Sequence, residues 1–363
     1  MLKRLHLRNF TVFEDADFAF GPGLNVLVGA NGTGKSHVLK AGYALARHLH
    51  ETLGEKDLHW FNSGNISSPL YDLLKVFRPI PFEGSQLIRR GMGEYKATIT
   101  LGLVFSGGDV ETTIELPINQ ELFLVSDASA SELKWLNKKD ETIAVASSVF
   151  IPAKEAITMG WLLPLYDRRE IPIDETYPDL LRLLMGPPLR QPEPAHIVAQ
   201  LQQLIGGKVE EEGGHFYLAA PEQPRMEMNL VAEGVRKFAT LYKLLANGTL
   251  TPETTLFWDE PDTNFNPTLL KEMAAVLTQM AKAGFQIILA THSLFLLKEL
   301  HILARREKQP VRYFALYAGD DGATQVETKD DFIQLEHVAA LDAELTQTFD
   351  FEAALDDEYA GDS

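Results

Sequence analysis

Hydrophobic and polar positions change rhythm several times along this chain, and each rhythm predicts a different element. From Leu2 to Phe10 apolar and polar residues alternate as in a half-buried strand, and Phe13 to Phe20 alternates like its hairpin partner. Gly21-Pro22-Gly23 marks a turn. Alternation then gives way to Leu24-Asn25-Val26-Leu27-Val28, a nearly unbroken apolar run that reads as a buried strand, and to a helical stretch from His37 to His50. Residues 51–93 are polar and irregular to helical. Tyr95, Ala97, Ile99, Leu101, Leu103 and Phe105 alternate again, and with Gly107-Gly108 and Val110 to Leu116 they predict a β-hairpin over 94–125. Ser148 to Pro152 reads as another core strand. Six proline sites between Pro164 and Pro194 divide residues 156–207 into short helices. Lys208–Glu212 and His215–Leu218 flank Gly213-Gly214 as a further hairpin. No a/d heptad is sustained anywhere, because Gly and Pro recur too often, so no long coiled coil is expected.

The junction after the first buried run carries chemistry. Residues 29–36 read Gly29-Ala30-Asn31-Gly32-Thr33-Gly34-Lys35-Ser36, a complete G-x-x-x-x-G-K-[ST] phosphate-binding loop. A loop between a strand and a helix N-terminus aims backbone N–H groups and the positive helix end at a phosphate chain. Lys35 is expected to reach the β- and γ-phosphates, and the Ser36 hydroxyl to coordinate Mg²⁺. His37 closes the nucleotide-binding stretch, with its ring expected to point away from the nucleotide.

A second apolar run, Thr255-Leu256-Phe257-Trp258, ends in Asp259-Glu260. Asp259 is placed to hold Mg²⁺ through its water shell, and Glu260 to orient and deprotonate an attacking water. Pro261-Asp262-Thr263-Asn264-Phe265-Asn266-Pro267 follows at once, and a third run, Gln286 to Ala290, ends in Thr291-His292-Ser293. In this order the motifs resemble the ABC-type ATPases of the SMC, RecF and OLD group. The resemblance covers residues 1–45 and roughly 225–300 with specific motifs, and the long middle only loosely.

That resemblance implies further roles. His292 would sense the γ-phosphate and hold the water with Glu260, and Asp262 and Asn264 would form the D-loop that reads the partner subunit. The family's signature, which serves the nucleotide of the opposite subunit, matches Ala232-Glu233-Gly234-Val235-Arg236-Lys237. Gly234 fits the pattern, but Ala232 stands where a serine is usual. A lost hydrogen bond to a charged group costs ~1.5–3 kcal/mol, which Arg236 or Lys237 could compensate. Ala153-Lys154-Glu155 falls where the family carries its Q-loop, without a convincing glutamine. The resemblance also implies a homodimer sandwiching two ATP molecules, with hydrolysis opening it.

Composition narrows the setting. The 363 residues include no cysteine, which excludes disulfides and thiolate metal sites. No transmembrane run or secretory signal is visible, and a cytoplasmic protein is expected. Residues 330–363 hold eleven acidic side chains and no Lys or Arg, leaving −7 of the net −18 for the rest. Nucleic acid is therefore not favoured as a partner by charge, although Arg89-Arg90, Lys138-Lys139, Arg168-Arg169 and Arg305-Arg306 are basic pairs. Apolar positions Leu335, Val338, Leu341, Leu345, Phe349, Phe351 and Leu355 predict a tail helix with one apolar face.

The expected architecture is α/β: a P-loop NTPase of ABC-ATPase type with an antiparallel β subdomain and a helical insertion. Residues 1–50 and 225–329 form the ATPase core, 51–224 an inserted region, and 330–363 the acidic tail. ATP and Mg²⁺ are the expected ligands. The residues offer no second catalytic constellation, so the output is expected to be mechanical or regulatory. One expectation is an ATPase that controls a separate effector, a nuclease or toxin, since compact heads of this type are similar to ATPase partners in prokaryotic phage defence of the PARIS and Septu kinds. A DNA-maintenance ATPase like RecF is the alternative, and an ATP-gated scaffold with little turnover a third.

Overall fold

Each rhythm of the sequence reappears as an element in the computed structural model, which describes residues 1–54, 69–90, 96–105, 108–117, 147–169, 171–319, 322–341, 343–344 and 346–351. The hairpin β1 (Leu2–Phe10) and β2 (Phe13–Ala19) leads into β3 (Leu24–Gly29), the phosphate loop and α1 (Lys35–Gly54). Helix α2 (Pro69–Phe77) and a second hairpin, β4 (Lys96–Phe105) with β5 (Gly108–Pro117), precede β6 (Ser148–Ile151). Three helices between prolines follow: α3 (Leu162–Tyr166), α4 (Thr176–Leu184) and α5 (Ala195–Ile205). Strands β7 (Lys208–Glu212), β8 (His215–Ala219) and β9 (Met226–Glu227) lead to α6 (Glu233–Ala246). The chain then alternates through β10 (Thr255–Asp259), α7 (Pro267–Lys282), β11 (Gln286–Thr291) and α8 (Leu294–Glu307), and ends its sheets with β12 (Val311–Ala318) and β13 (Thr324–Lys329).

The apolar runs became the middle of a six-stranded sheet of order β13-β12-β3-β11-β10-β6. All its neighbours are parallel except the β12–β13 pair. Every residue of β3, β10 and β11 is buried, which explains why these strands lack alternation: a parallel sheet is covered on both faces. On one face Leu27, Phe257, Ile288 and Phe314 share a core with α1 and the sheet β2-β1-β4-β5. On the other, Val26, Leu256, Trp258 and Leu289 pack with α4 to α8. The described parts of residues 51–224 contribute to both layers, since β4 pairs with β1 and β6 with β10.

One buried amide joins the layers. Gln286 accepts hydrogen bonds from the Leu2 N–H and the Thr255 hydroxyl, both at 2.8 Å. Its Nε2 donates to the carbonyls of Leu2 (2.6 Å) and Gly21 (2.9 Å).

Two expectations shift in detail. Phe105 pairs with Gly108, so Gly108 belongs to the strand rather than the turn; residues 106–107, Tyr95 and 118–125 lie outside the described residues. In the tail, Phe332, Leu335 and Val338 are buried and Leu341 packs on the same core, but Phe349 and Phe351 are exposed. The expected tail helix with one apolar face does not form as such. Phe332 lies in a single 3₁₀ turn and Leu335 and Val338 in irregular chain before the helix, which begins at residue 339, and among its described residues only Leu341 packs on the core. Leu345 and Leu355 lie outside the described residues. Acidic tail residues pair with the chain's own cations: Asp330 with Arg312 at 2.8 Å, Glu344 with Lys298 at 2.7 Å, and Asp331 with Arg305. Among the described residues no helix is long and apolar enough to cross a membrane.

Burying each of Phe332, Leu335 and Val338 contributes ~1.5–3 kcal/mol. Truncation after Lys329 is therefore expected to lower the melting temperature by roughly 10 °C or more, at a few degrees per kcal/mol. Thermal denaturation of the truncated and full chains checks it, and equal midpoints would show that the tail does not hold the core.

Candidate functional site

The phosphate loop is shaped by what surrounds it. A Cβ on Gly29 would sit 2.3 Å from the Leu316 carbonyl oxygen, so the close approach of β12 admits only glycine there. Gly34 has φ +92° and a Cβ on it would lie 2.7 Å from the Phe13 ring, so both backbone and packing require glycine. The buried Lys35 ammonium donates to the carbonyls of Gly29 (2.9 Å) and Ala30 (3.1 Å) across the loop, and the Thr33 hydroxyl to Ala30 (2.9 Å). Lys35 and Ser36 open α1, so the helix N-terminus faces the loop.

β10 delivers two carboxylates beside this loop. Asp259 is buried, and its Oδ1 has no hydrogen-bond partner. Burial pushes its carboxyl above the usual range, while the Ser36 hydroxyl and the ammonium groups of Lys40 and Lys35 pull it back. A buried, half-satisfied carboxylate next to a hydroxyl suits a hydrated Mg²⁺, which takes oxygen ligands and keeps several waters. Glu260 follows with φ +48°, an unusual value for a side chain of its size. Its Oε2 lies 2.7 Å from His292 Nδ1, without the alignment of a hydrogen bond. Burial, and then the charge of Asp262, raise the Glu260 carboxyl above the ordinary glutamate value, and His292 opposes them.

The Thr-His-Ser stretch works as a mount for its histidine. Thr291 donates to Asp262 Oδ1 at 2.5 Å and accepts the Ser293 N–H at 2.9 Å. Ser293 caps α8 by accepting from Leu296 N at 3.2 Å. Both neighbours are thereby fixed and His292 is left exposed, facing Glu260. Glu260, Asp262 and His292 bring one polar atom each within 4.8 Å of one another. Asn266 caps α7 with Pro267 in its first turn, which accounts for the asparagine and proline at the end of the Asp-Glu-Pro stretch.

Residues 232–237 begin α6 and adjoin the same loop. Ala232 is the N-cap residue and offers no side-chain acceptor. Glu233 is exposed and accepts from Asn264 Nδ2 at 2.7 Å, with Asn264 at φ +65°. Gly234 is buried, and a Cβ there would meet the Phe265 ring at 2.7 Å.

With this geometry in view, comparison with known proteins is informative. The family described as "AAA domain, putative AbiEii toxin, Type IV TA system" matches residues 173–298, and one described as "AAA domain" matches residues 4–57. The solved SMC head bound to the C-winged helix domain of ScpA superposes with a TM-score of 0.51 at 13% identity, covering 91% of this chain and 97% of that one. An SMC head with an extended coiled coil, bound to the C-terminal domain of ScpA from Pyrococcus furiosus, gives 0.50 at 13% identity, over 97% and 99%. The fold is that of an SMC head, and the matches together support an ABC-like ATPase head of the SMC/RecF type. Among curated relatives, the head is 42% identical to the DNA replication and repair protein RecF of Streptococcus uberis over 66 residues, 18% of each chain. It is 57% identical to RecF of Edwardsiella ictaluri over 44 residues, 12% of each. The matched segments thus span less than a fifth of those relatives.

Within the head, the motif residues divide into two groups. Lys35, Ser36, Asp259, Glu260 and His292 converge at adjacent strand ends. Others turn away. The His37 ring packs against Phe77 at 5.5 Å, and burial, then Lys40, lowers its pKa to about 4, so its side chain belongs to the α1–α2 contact and not to the nucleotide. Arg236 and Lys237 do not reach outward as the compensating cations expected for the signature. Arg236 donates to the Val231 and Asn229 carbonyls, both at 2.7 Å, and pairs with Glu155 at 3.3 Å. Lys237 is buried beneath the D-loop. Asp262 does both: it accepts from Thr291 within the same chain, yet it stays beside Glu260 and His292 at the site. In the loop after β6, Glu155 is committed to Thr158 and Arg236, so it does not stand in for a Q-loop glutamine. Sequence reasoning missed these inward contacts. Only the amphipathic period of α6, which puts position 237 near its buried side, hinted at them.

The Gly234 contact makes that glycine a packing requirement in its own subunit. Gly234→Ala is expected to destabilise the free head by ~1–3 kcal/mol through overpacking against Phe265. Ala232→Ser is expected to stabilise it by ~1 kcal/mol by supplying the missing N-cap acceptor. Melting of the dilute, nucleotide-free proteins reads both, and an unchanged Gly234→Ala midpoint contradicts the packing account.

Proposed function

We propose that this head binds ATP with Mg²⁺ at Gly29–Ser36 and hydrolyses it with Glu260 as general base. The observation that carries the reading is the Glu260–His292 pair, 2.7 Å apart at the end of β10 and next to Asp259 and the phosphate loop. Lys35 exchanges the carbonyls of Gly29 and Ala30 for the β- and γ-phosphates, and the backbone N–H groups of 30–36 face the phosphate chain. Ser36 and Asp259 hold the metal, whose role is to neutralise charge on the phosphate oxygens. Glu260 takes the proton from the attacking water. Its raised pKa makes it a stronger base than a solvated glutamate, and it loses that capacity when protonated, so activity falls as pH drops through a value above the ordinary glutamate one.

The reading includes a dimer closed around two nucleotides. Its support is the exposed face at the start of α6, where Leu230 is 75% exposed beside the uncapped Ala232 and exposed Glu233. An uncapped helix N-terminus offers free N–H donors and positive potential to a partner's phosphate. In the head as a whole, closing and opening with ATP would control a separate effector protein, a nuclease or toxin, in phage defence; the "Type IV TA system" wording of the matched family agrees with that setting. The likeness of a short stretch to RecF favours a second reading, a DNA-maintenance ATPase.

Glu260→Gln is expected to retain ATP binding, lower hydrolysis at least 100-fold and accumulate a nucleotide-bound dimer. Lys35→Ala is expected to abolish binding. Phosphate release and light scattering measure these, and a Glu260→Gln protein turning over at the wild-type rate would refute the assignment of the base.

A further inference from the structure

Lys237 is buried but unused by the chemistry described above. It sits one turn into α6 with only 3% of its surface exposed. Its ammonium donates to the Glu260 carbonyl at 2.9 Å, to the Pro261 carbonyl at 3.4 Å, and to the Thr263 hydroxyl. The Phe265 ring lies under it, 5.8 Å away. A cation buried this deeply is costly unless hydrogen bonds compensate it, and all its acceptors belong to one loop. That loop holds two residues in the left-handed region, Glu260 at φ +48° and Asn264 at φ +65°. Such conformations persist only where the surroundings fix them. Lys237 grips the first strained residue by its own carbonyl, Glu233 holds the second through Asn264, and Phe265 closes against Gly234.

We propose that Lys237 is a positioning residue: it sets the backbone from which the Glu260 carboxylate reaches the attacking water, and it makes α6 and the D-loop move as one body. The proposal rests on the reading of Glu260 as the base. Since the N-terminus of α6 lies on the face assigned to the partner subunit, a partner's nucleotide docking there would adjust Glu260 of the same chain. Hydrolysis at one nucleotide is thereby made sensitive to occupancy of the other.

Charge around Lys237 favours this role. Burial pulls its pKa down to about 8, against Asp262 and Glu260 in the loop, Glu233 on α6 and Glu155 after β6, which all raise it. The clasp therefore loses its charge as pH rises through about 8. Because this value lies below that of an unfolded lysine, the stability penalty of Lys237 shrinks over the same range. A loss of rate there is not a loss of fold through this group.

The test compares wild type, Lys237→Met and Lys237→Arg at saturating ATP, with melting temperature alongside. Misplacing a reacting group slightly costs on the order of 100-fold. Lys237→Met is expected to lower kcat by 10- to 100-fold with KM for ATP within about twofold. Lys237→Arg, which keeps the charge, is expected to recover part of kcat and to lack the decline above pH 8 expected of wild type. A folded Lys237→Met protein with wild-type kcat overturns the proposal. Should that variant not fold, a wild-type rate that stays flat from about pH 7 to 9.5 overturns it, given the group's titration near 8. Full activity in Glu260→Gln would instead remove the base itself. An altered Lys237→Met beside an inactive Glu260→Gln separates the two.

Discussion

The parallel register of β3, β11 and β10 is the constraint on which the site depends. Ala290 of β11 stands opposite both Leu27 of β3 and Asp259 of β10, so the three strands finish almost level. Parallel strands all present their C-terminal ends on the same edge, and in open α/β sheets that edge is where ligands bind. From these flush ends project the phosphate loop, the Asp259-Glu260 pair and His292, although the loop lies more than 200 residues before the other two in the chain. The ladder continues one bond past the strand, since the Glu260 N–H donates to the Ala290 carbonyl at 2.9 Å. Only after that bond does the backbone turn into its left-handed conformation. Layers on both faces keep the sheet dry, which raises the carboxylates of Asp259 and Glu260 and strengthens every charge facing them.

Much of the α6 region serves this edge rather than a partner. Arg236 binds the turn before the helix, Lys237 the loop beyond β10, and Gly234 lets Phe265 approach. The exposed residues of the segment are Leu230, Ala232 and Glu233. Any intersubunit role proposed for this segment is left to backbone groups and a very short surface, while the cations nearby maintain the fold of the head.

What was legible in the sequence follows from range. The phosphate loop, the Asp-Glu pair and the Thr-His-Ser mount are local patterns, each anchored to an apolar run whose partners did not need to be known. Lys237 and Arg236 were misread because their neighbours come from distant segments, and a basic side chain in isolation looks like a ligand contact. Gln286 gave no signal at all: a polar residue starting a strand is unremarkable until four distant groups converge on it. The tail was half legible: its apolar residues up to Leu341 do dock, but Phe332, Leu335 and Val338 do so before the helix begins, because spacing alone does not say which backbone brings them to the core.

The topology also fixes when the phosphate loop can take shape during synthesis. Strand β3 has no hydrogen-bonded neighbour nearby in sequence; its two partners, β11 and β12, begin at Gln286 and Val311. The Leu2 backbone likewise waits for the Gln286 amide, 284 positions later. Chains emerge N-terminus first, and such long-range pairing must await the later segments. The growing polypeptide therefore carries its nucleotide-binding sequence from the outset without the sheet that makes it a site. A chain arrested before β11 lacks both supports of β3, so the phosphate loop can be held in shape only by a head that is nearly complete.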